Sequence, residues 1–182
     1  MADKFLGSLS ALAFKGDSHG IFDAGDVPAV PAAPMGRMAI KFADGTNESA
    51  AVSRPFGIPA DFWTSGSGLK LKIYYFGSSA PGTANKVDFE GCVEAISEGD
   101  PHNLASTADA FAAPQGVVDT IDANAGELCV AEIAFTKAQA DDLEPGDCVR
   151  IALRRDSDDL VNDTYADAVW VVHVDLYEMS NG

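Results

Sequence analysis

From residue 36 onward apolar and polar side chains alternate along the chain, and Gly, Pro and Asp gather between the alternating runs. A period of two marks a strand with one buried face. The pattern predicts strands over residues 37–42, 51–56, 69–76, 87–96, 117–121, 127–135, 148–155 and 169–178. Eight short strands with turn-rich connections predict an all-β chain folded as an antiparallel two-sheet sandwich. Between them, residues 123–126 read as a hairpin connection. Glu144-Pro145-Gly146-Asp147 reads as a tight turn, with Pro setting one dihedral and Gly supplying a positive one. Residues 136–143 suit a short helix, with Thr136 as its cap.

Eight strands admit a single jelly roll, in which consecutive strands jump between sheets. That order places the second, seventh, fourth and fifth strands in one sheet and the first, eighth, third and sixth in the other. The charges agree with it. In the fourth strand Val87, Phe89 and Val93 share one face, leaving Asp88, Glu90, Cys92 and Glu94 on the other. In the seventh, Val149, Ile151 and Leu153 face one way, and Arg150 and Arg154 the other. An acidic outer stripe beside a basic one is a favourable cross-strand match.

The first 35 residues differ. Phe5, Leu9, Leu12 and Phe14 are apolar anchors, followed by a run with Pro28, Pro31 and Pro34 that favours an extended conformation. The chain therefore divides into an N-terminal arm over 1–35, with those four residues as partner contacts, and a sandwich domain over 36–182. As a leader peptide the first segment is unconvincing, because Asp3 offsets Lys4 and Gly7, Ser8 and Ser10 interrupt its apolar stretch.

Charge narrows the partners. Twelve basic residues against 28 acidic give a net charge of −16, which disfavours nucleic acid. No apolar run approaches the length of a membrane span, so no membrane partner is expected. Cys92, Cys129 and Cys148 lack disulfide or zinc spacing and are expected as reduced thiols, although Cys92 and Cys148 share an outer face. Asn47 and Asn162 head glycosylation sequons that carry no weight without a secretory context.

Candidate chemistry is sparse. His19, His102 and His173 form no cluster, and no nucleophile elbow is present, so neither catalytic residues nor a cofactor are expected. Asp156, Asp158, Asp159 and Asp163 are the candidate Ca²⁺ ligands, although Val161 stands where an EF-hand needs Gly. The alternative is a solvated turn with Arg155 as counter-charge. A sugar platform would draw on Trp63, Tyr74, Tyr75, Phe76 and Trp170, but the parity of Trp170 with Val172, Val174 and Leu176 puts it in the core.

One stretch carries a family likeness. Leu143-Glu144-Pro145-Gly146-Asp147, the run from Val149 to Asp156, the Asp-rich loop and the final strand ending in Tyr177-Glu178 resemble small jelly-roll virion proteins of tailed bacteriophages. Residues 69–98 continue the resemblance more weakly. It implies a homotrimer made in the host cytoplasm and placed on the capsid surface, where it decorates or cements the head against the major capsid protein or another virion protein. The alternative is a carbohydrate- or receptor-binding module of a tail fibre or other host-contacting protein. An enzyme is not expected.

Overall fold

A computed structural model describes residues 2–10, 14–16, 39–45, 48–52, 56–62, 66–80, 85–99, 111–122 and 124–180. These residues contain eleven strands: β1 (Lys4–Ser10), β2 (Phe14–Gly16), β3 (Ile40–Phe42), β4 (Glu48–Val52), β5 (Phe56–Gly57), β6 (Gly66–Gly77), β7 (Lys86–Ile96), β8 (Gln115–Thr120), β9 (Cys129–Thr136), β10 (Cys148–Arg155) and β11 (Val169–Ser180). They form two antiparallel sheets. The first runs β1-β11-β6-β9, with β3 also on β11, and the second runs β2-β4-β10-β7-β8, with β5 also on β10. Without β1, β2 and β5, this is the jelly-roll order that the alternation and the charge stripes predict.

Alternation decides which residues meet between the sheets. Leu69, Leu71, Ile73 and Tyr75 of β6 point inward, as do Ile133 and Phe135 of β9. They meet Val87, Phe89 and Val93 of β7 and Val149, Ile151 and Leu153 of β10 in one continuous core. Each such side chain contributes about 1.5–3 kcal/mol through burial. Gly91 of β7 faces Leu71, Ile133 and Phe135 of the opposite sheet. A Cβ there would lie 3.3 Å from Ile133 Cδ1 and Leu71 Cδ1, so even an alanine would require these side chains to shift by a few tenths of an ångström.

The turns follow their residues. Gly146 has φ 94°, and Asp147 N donates to Glu144 O at 3.2 Å, closing the predicted tight turn. The expected helix shrinks to one 3-10 turn, Ala138–Ala140. Thr136 and Gln139 close its start reciprocally: Thr136 N donates to Gln139 Oε1 at 2.9 Å and Gln139 N donates back to Thr136 Oγ1. Asp141 and Asp142 then take positive φ values of 59° and 51°, which end it.

The N-terminal region corrects the expected division at residue 35. β1 pairs along the C-terminal half of β11, Lys4 opposite Glu178 and Ser10 opposite His173, while β3 takes the other half of the same edge. Leu6 and Leu9 pack on the core, so residues 4–10 belong to the sandwich. The reason is tertiary: β3 is too short to cover β11, and β1 satisfies the backbone groups that it leaves open. β2 likewise borders β4. Leu12 and the three prolines lie outside the described residues, and Phe14 lies in β2.

Candidate functional site

β6 and β11 run side by side through the first sheet, and their outward residues make four rows. Phe76 lies opposite Trp170, Tyr74 opposite His173, Lys72 opposite Asp175 and Lys70 opposite Tyr177. β9 adds Val130, Glu132 and Ala134 along one flank. On the other flank β3 adds Lys41, and β1 adds Ser8 and Phe5. The result is one outer face carrying aromatic and charged groups together.

A β-bulge puts Trp170 there. The register on β6 slips between Val171 and His173, leaving Val172 as the extra residue. Val169 and Val171 therefore point inward on one phase, and Val174 and Leu176 on the other. Trp170 and His173 both emerge on the outside, which corrects the core assignment that simple parity gives Trp170. Tyr75 is a core residue, its hydroxyl donating to Asp119 Oδ2 at 2.8 Å. Trp63, His19 and His102 lie outside the described residues.

The rings are held in place by their neighbours. Tyr74 and His173 stack with centroids 4.1 Å apart, and Phe76 and Trp170 lie near-parallel at 6.4 Å. Phe5 meets Tyr177 edge-on at 5.4 Å. Lys41 Nζ stands 5.8 Å from the Trp170 ring centre, and Lys72 Nζ 5.1 Å from that of Tyr177. Cations in such positions are attracted by the ring quadrupole.

A charged belt crosses the middle of the face. Lys72 bridges Glu132 at 2.6 Å, and Lys70 reaches Glu132 at 3.2 Å and Asp3 at 2.7 Å. The hydrogen bond from Lys70, with another from Ser180 N, holds the Asp3 carboxyl down at about 2. Lys72 likewise lowers Glu132, and the bond to Asp3 raises Lys70. Lost hydration and the Asp175 carboxylate push the Tyr74 hydroxyl up to about 12, so it remains a donor at neutral pH.

The other candidate sites turn out differently. The Asp-rich loop folds around a guanidinium. Arg155 is fully buried, with Nε 2.7 Å from Asp163 Oδ2 and Nη2 2.7 Å from Asp163 Oδ1, and it also donates to the carbonyls of Tyr165 and Asp167. Asp159 turns inward on its own loop, accepting from Val161 N at 3.0 Å and from Asn162 Nδ2 at 2.7 Å. Asp158 is exposed, and Asp156 lies 3.3 Å from Arg154. Among the described residues no group of three or more His, Cys, Asp or Glu side chains is arranged to hold a metal, so Asp156, Asp158, Asp159 and Asp163 do not converge as Ca²⁺ ligands. Asp163 is committed to Arg155 instead.

Of the proposed partner-contacting residues, Leu9 packs on the chain's own core, and Phe5 is 54% exposed on the aromatic face. The second sheet carries the expected charge match. Arg150 meets Glu94 at 2.8 Å, and Arg154 meets Glu90. Between these pairs Cys92 faces Ala152 under Phe111, whereas Cys148 faces Ile96. Sequence reasoning missed Phe5, Lys41, Lys72, Asp175 and Tyr177 as members of one face. The alternation Lys72-Tyr74-Phe76 on β6 was the available signal.

The fold and this face define a two-sheet β-sandwich with an aromatic outer surface. No family model and no curated protein matches the chain. Solved structures do resemble it. One is "xylan-binding module CBM15", at 9% identity and a TM-score of 0.48, covering 97% of this chain and 99% of that one. Another is TmCBM61 in complex with beta-1,4-galactotriose, at 16% identity and 0.39, covering 96% and 90%. A third is the K1 cleaved adhesin domain of Lys-gingipain from Porphyromonas gingivalis W83, at 14% identity and 0.42, covering 97% and 98%. At such identities the likeness is one of fold at most, and the site must be read from its own residues.

Proposed function

We propose that this protein is a non-catalytic carbohydrate-binding β-sandwich, and that the outer face of β6 and β11 is its binding surface. The observation that carries the reading is the run of half-buried rings at Phe76, Trp170, Tyr74 and His173, set directly beside Asp175, Lys72 and Glu132. Sugars present apolar C–H faces and hydroxyl edges. Rings supply contact area for the former, and carboxylates and ammonium groups supply hydrogen bonds to the latter. Mutual stacking of Tyr74 on His173, and Lys41 over Trp170, limit the freedom these rings lose on binding.

Electrophoresis through gels containing single soluble polysaccharides (xylan, galactan, mixed-linkage glucan, mannan, and an acidic polymer for contrast) tests the proposal. Retardation by at least one neutral polymer, weakened in Trp170→Ala and in Tyr74→Ala with the fold intact by circular dichroism, is the expected result. Absence of retardation by every polymer, together with saturable binding to purified phage heads, would favour the virion role implied by the sequence resemblance.

A further inference from the structure

Two groups of aromatic side chains occupy opposite ends of the outer face of the first sheet. One is Phe76 with Trp170. The other is Phe5 with Tyr177, contributed jointly by β1 and β11. Tyr177 lies opposite Lys70 and Trp170 opposite Phe76, so the two groups are separated by six residues of β6 (76 minus 70), or roughly 20 Å of extended strand. Between them lie the Tyr74–His173 row and the Lys72–Asp175 row, with Glu132 beside Lys72.

Phe5 is not part of the core. It is 54% exposed, the most exposed aromatic side chain among the described residues, while Leu6 and Leu9 anchor the same strand on the core. Its ring has one direct aromatic neighbour, and the start of its strand is tethered close by. The ring rests edge-on against Tyr177, Lys72 stands over the far ring, and Asp3, two residues before Phe5, is tied to Lys70 and to Ser180 N. An exposed ring set beside a second ring on a tethered strand offers a surface for a contact.

We infer that Phe5 and Tyr177 form a second sugar subsite, and that the ligand is a linear glycan long enough to lie along the strands and engage both aromatic groups at once. The inference rests on the carbohydrate reading above and adds to it a minimum ligand length and a role for the N-terminal strand. A mono- or disaccharide occupies only the Phe76–Trp170 group, which is the primary one. A longer chain places its middle units over the belt, where carboxylates and ammonium groups meet its hydroxyls. Occupying the second group within the same chain is an intramolecular step, favoured by high effective concentration.

The test uses linear oligosaccharides of two to six units, cut from whichever polymer retards the protein, and measures affinity by titration calorimetry. Affinity should step up by between about twofold and tenfold once the chain spans both groups, the scale of one added aromatic contact. Phe5→Ala and Tyr177→Ala should each remove that step without changing the affinity of the shortest ligand, whereas Trp170→Ala should weaken every length. Affinity that is flat with length, or a step untouched by Phe5→Ala, would overturn the second subsite while leaving the binding face in place. A protein that binds none of the parent polymers takes both proposals down together.

Discussion

Arg155 and Asp163 form a forked ion pair inside the protein, two parallel N–H···O bonds of 2.7 Å each, with both side chains almost wholly shielded from solvent. The pair joins the end of β10 to the middle of the segment that leads into β11. Asp163 Oδ2 also accepts from Asp88 N at 3.1 Å, so a single carboxylate ties three parts of the chain together.

Asp163→Asn should therefore be severely destabilising, by about 3–5 kcal/mol, because it removes the forked partner of a buried guanidinium and leaves it only the more exposed Asp44 carboxylate, 3.6 Å from Nη2. Urea unfolding of the variant checks the size. Added Ca²⁺ should not raise the melting temperature of the parent protein, since the carboxylate it would need is already engaged.

Asp88 gives the molecule a pH dependence. Burial first, and then the carboxylates of Glu90, Asp156, Asp159 and Asp163, raise it from its ordinary 3.8 to about 6. A carboxyl raised in the folded state favours the fold when protonated. Its contribution is thus complete below about pH 4 and is lost as the pH climbs through 6. Asp88→Asn should melt a few degrees higher than the parent at pH 7.5 and nearly with it at pH 4. A gain that is equal at both pH values would rule out this origin.

Deleting residues 2–10 should cost stability. β1 closes half of one edge of β11, buries Leu6 and Leu9 in part, and brings Lys4 Nζ to 3.9 Å from Glu178. Glu178 is 1% exposed, and neither carboxylate oxygen has a hydrogen-bond partner. Removing its nearest cation worsens an already costly burial. A lower melting temperature is expected, with partial recovery when Glu178→Gln is added to the deletion. A melting temperature unchanged by the deletion would show that β1 contributes nothing to the fold.

The register of β7 and β10 offsets Cys92 by four positions from Ile96, the residue opposite Cys148, or roughly 13 Å along the strand. A bridge between these two sulfurs cannot form without breaking the ladder. Thiol titration of the unfolded, unreduced protein should return three groups, and a value near one would contradict the register.

Much of the sandwich was legible in the sequence because its strands are regular. The outward Glu90 and Glu94 and the outward Arg150 and Arg154 carried the neighbour relation of β7 and β10 across more than fifty residues of chain, and both pairs form. Trp170 was misplaced because the sequence from Val169 to Val172 has three valines around one tryptophan, so parity alone cannot locate the extra residue. Only pairing with β6 fixes it at Val172. β1 was invisible for another reason. Gly7, Ser8 and Ser10 are poor strand formers, and the segment is extended because β11 offers it an open edge. Counting carboxylates could suggest a cation near Asp163, but not that the cation would be Arg155.

The pairing of β1 with β11 also brings the two ends of the described chain together, with Ser180 N donating to Asp3 Oδ1 at 3.0 Å. Start and finish of the fold are thus neighbours on one sheet edge, and the path is almost a closed loop. A short linker joining 180 to 3 would complete the circle with little strain, and new ends could be opened at the exposed turn around Gly126. Such a permuted chain should keep the outer face of β6 and β11 intact. By the same geometry, the whole sandwich could be spliced into a surface loop of an unrelated host, entering and leaving at nearly one point.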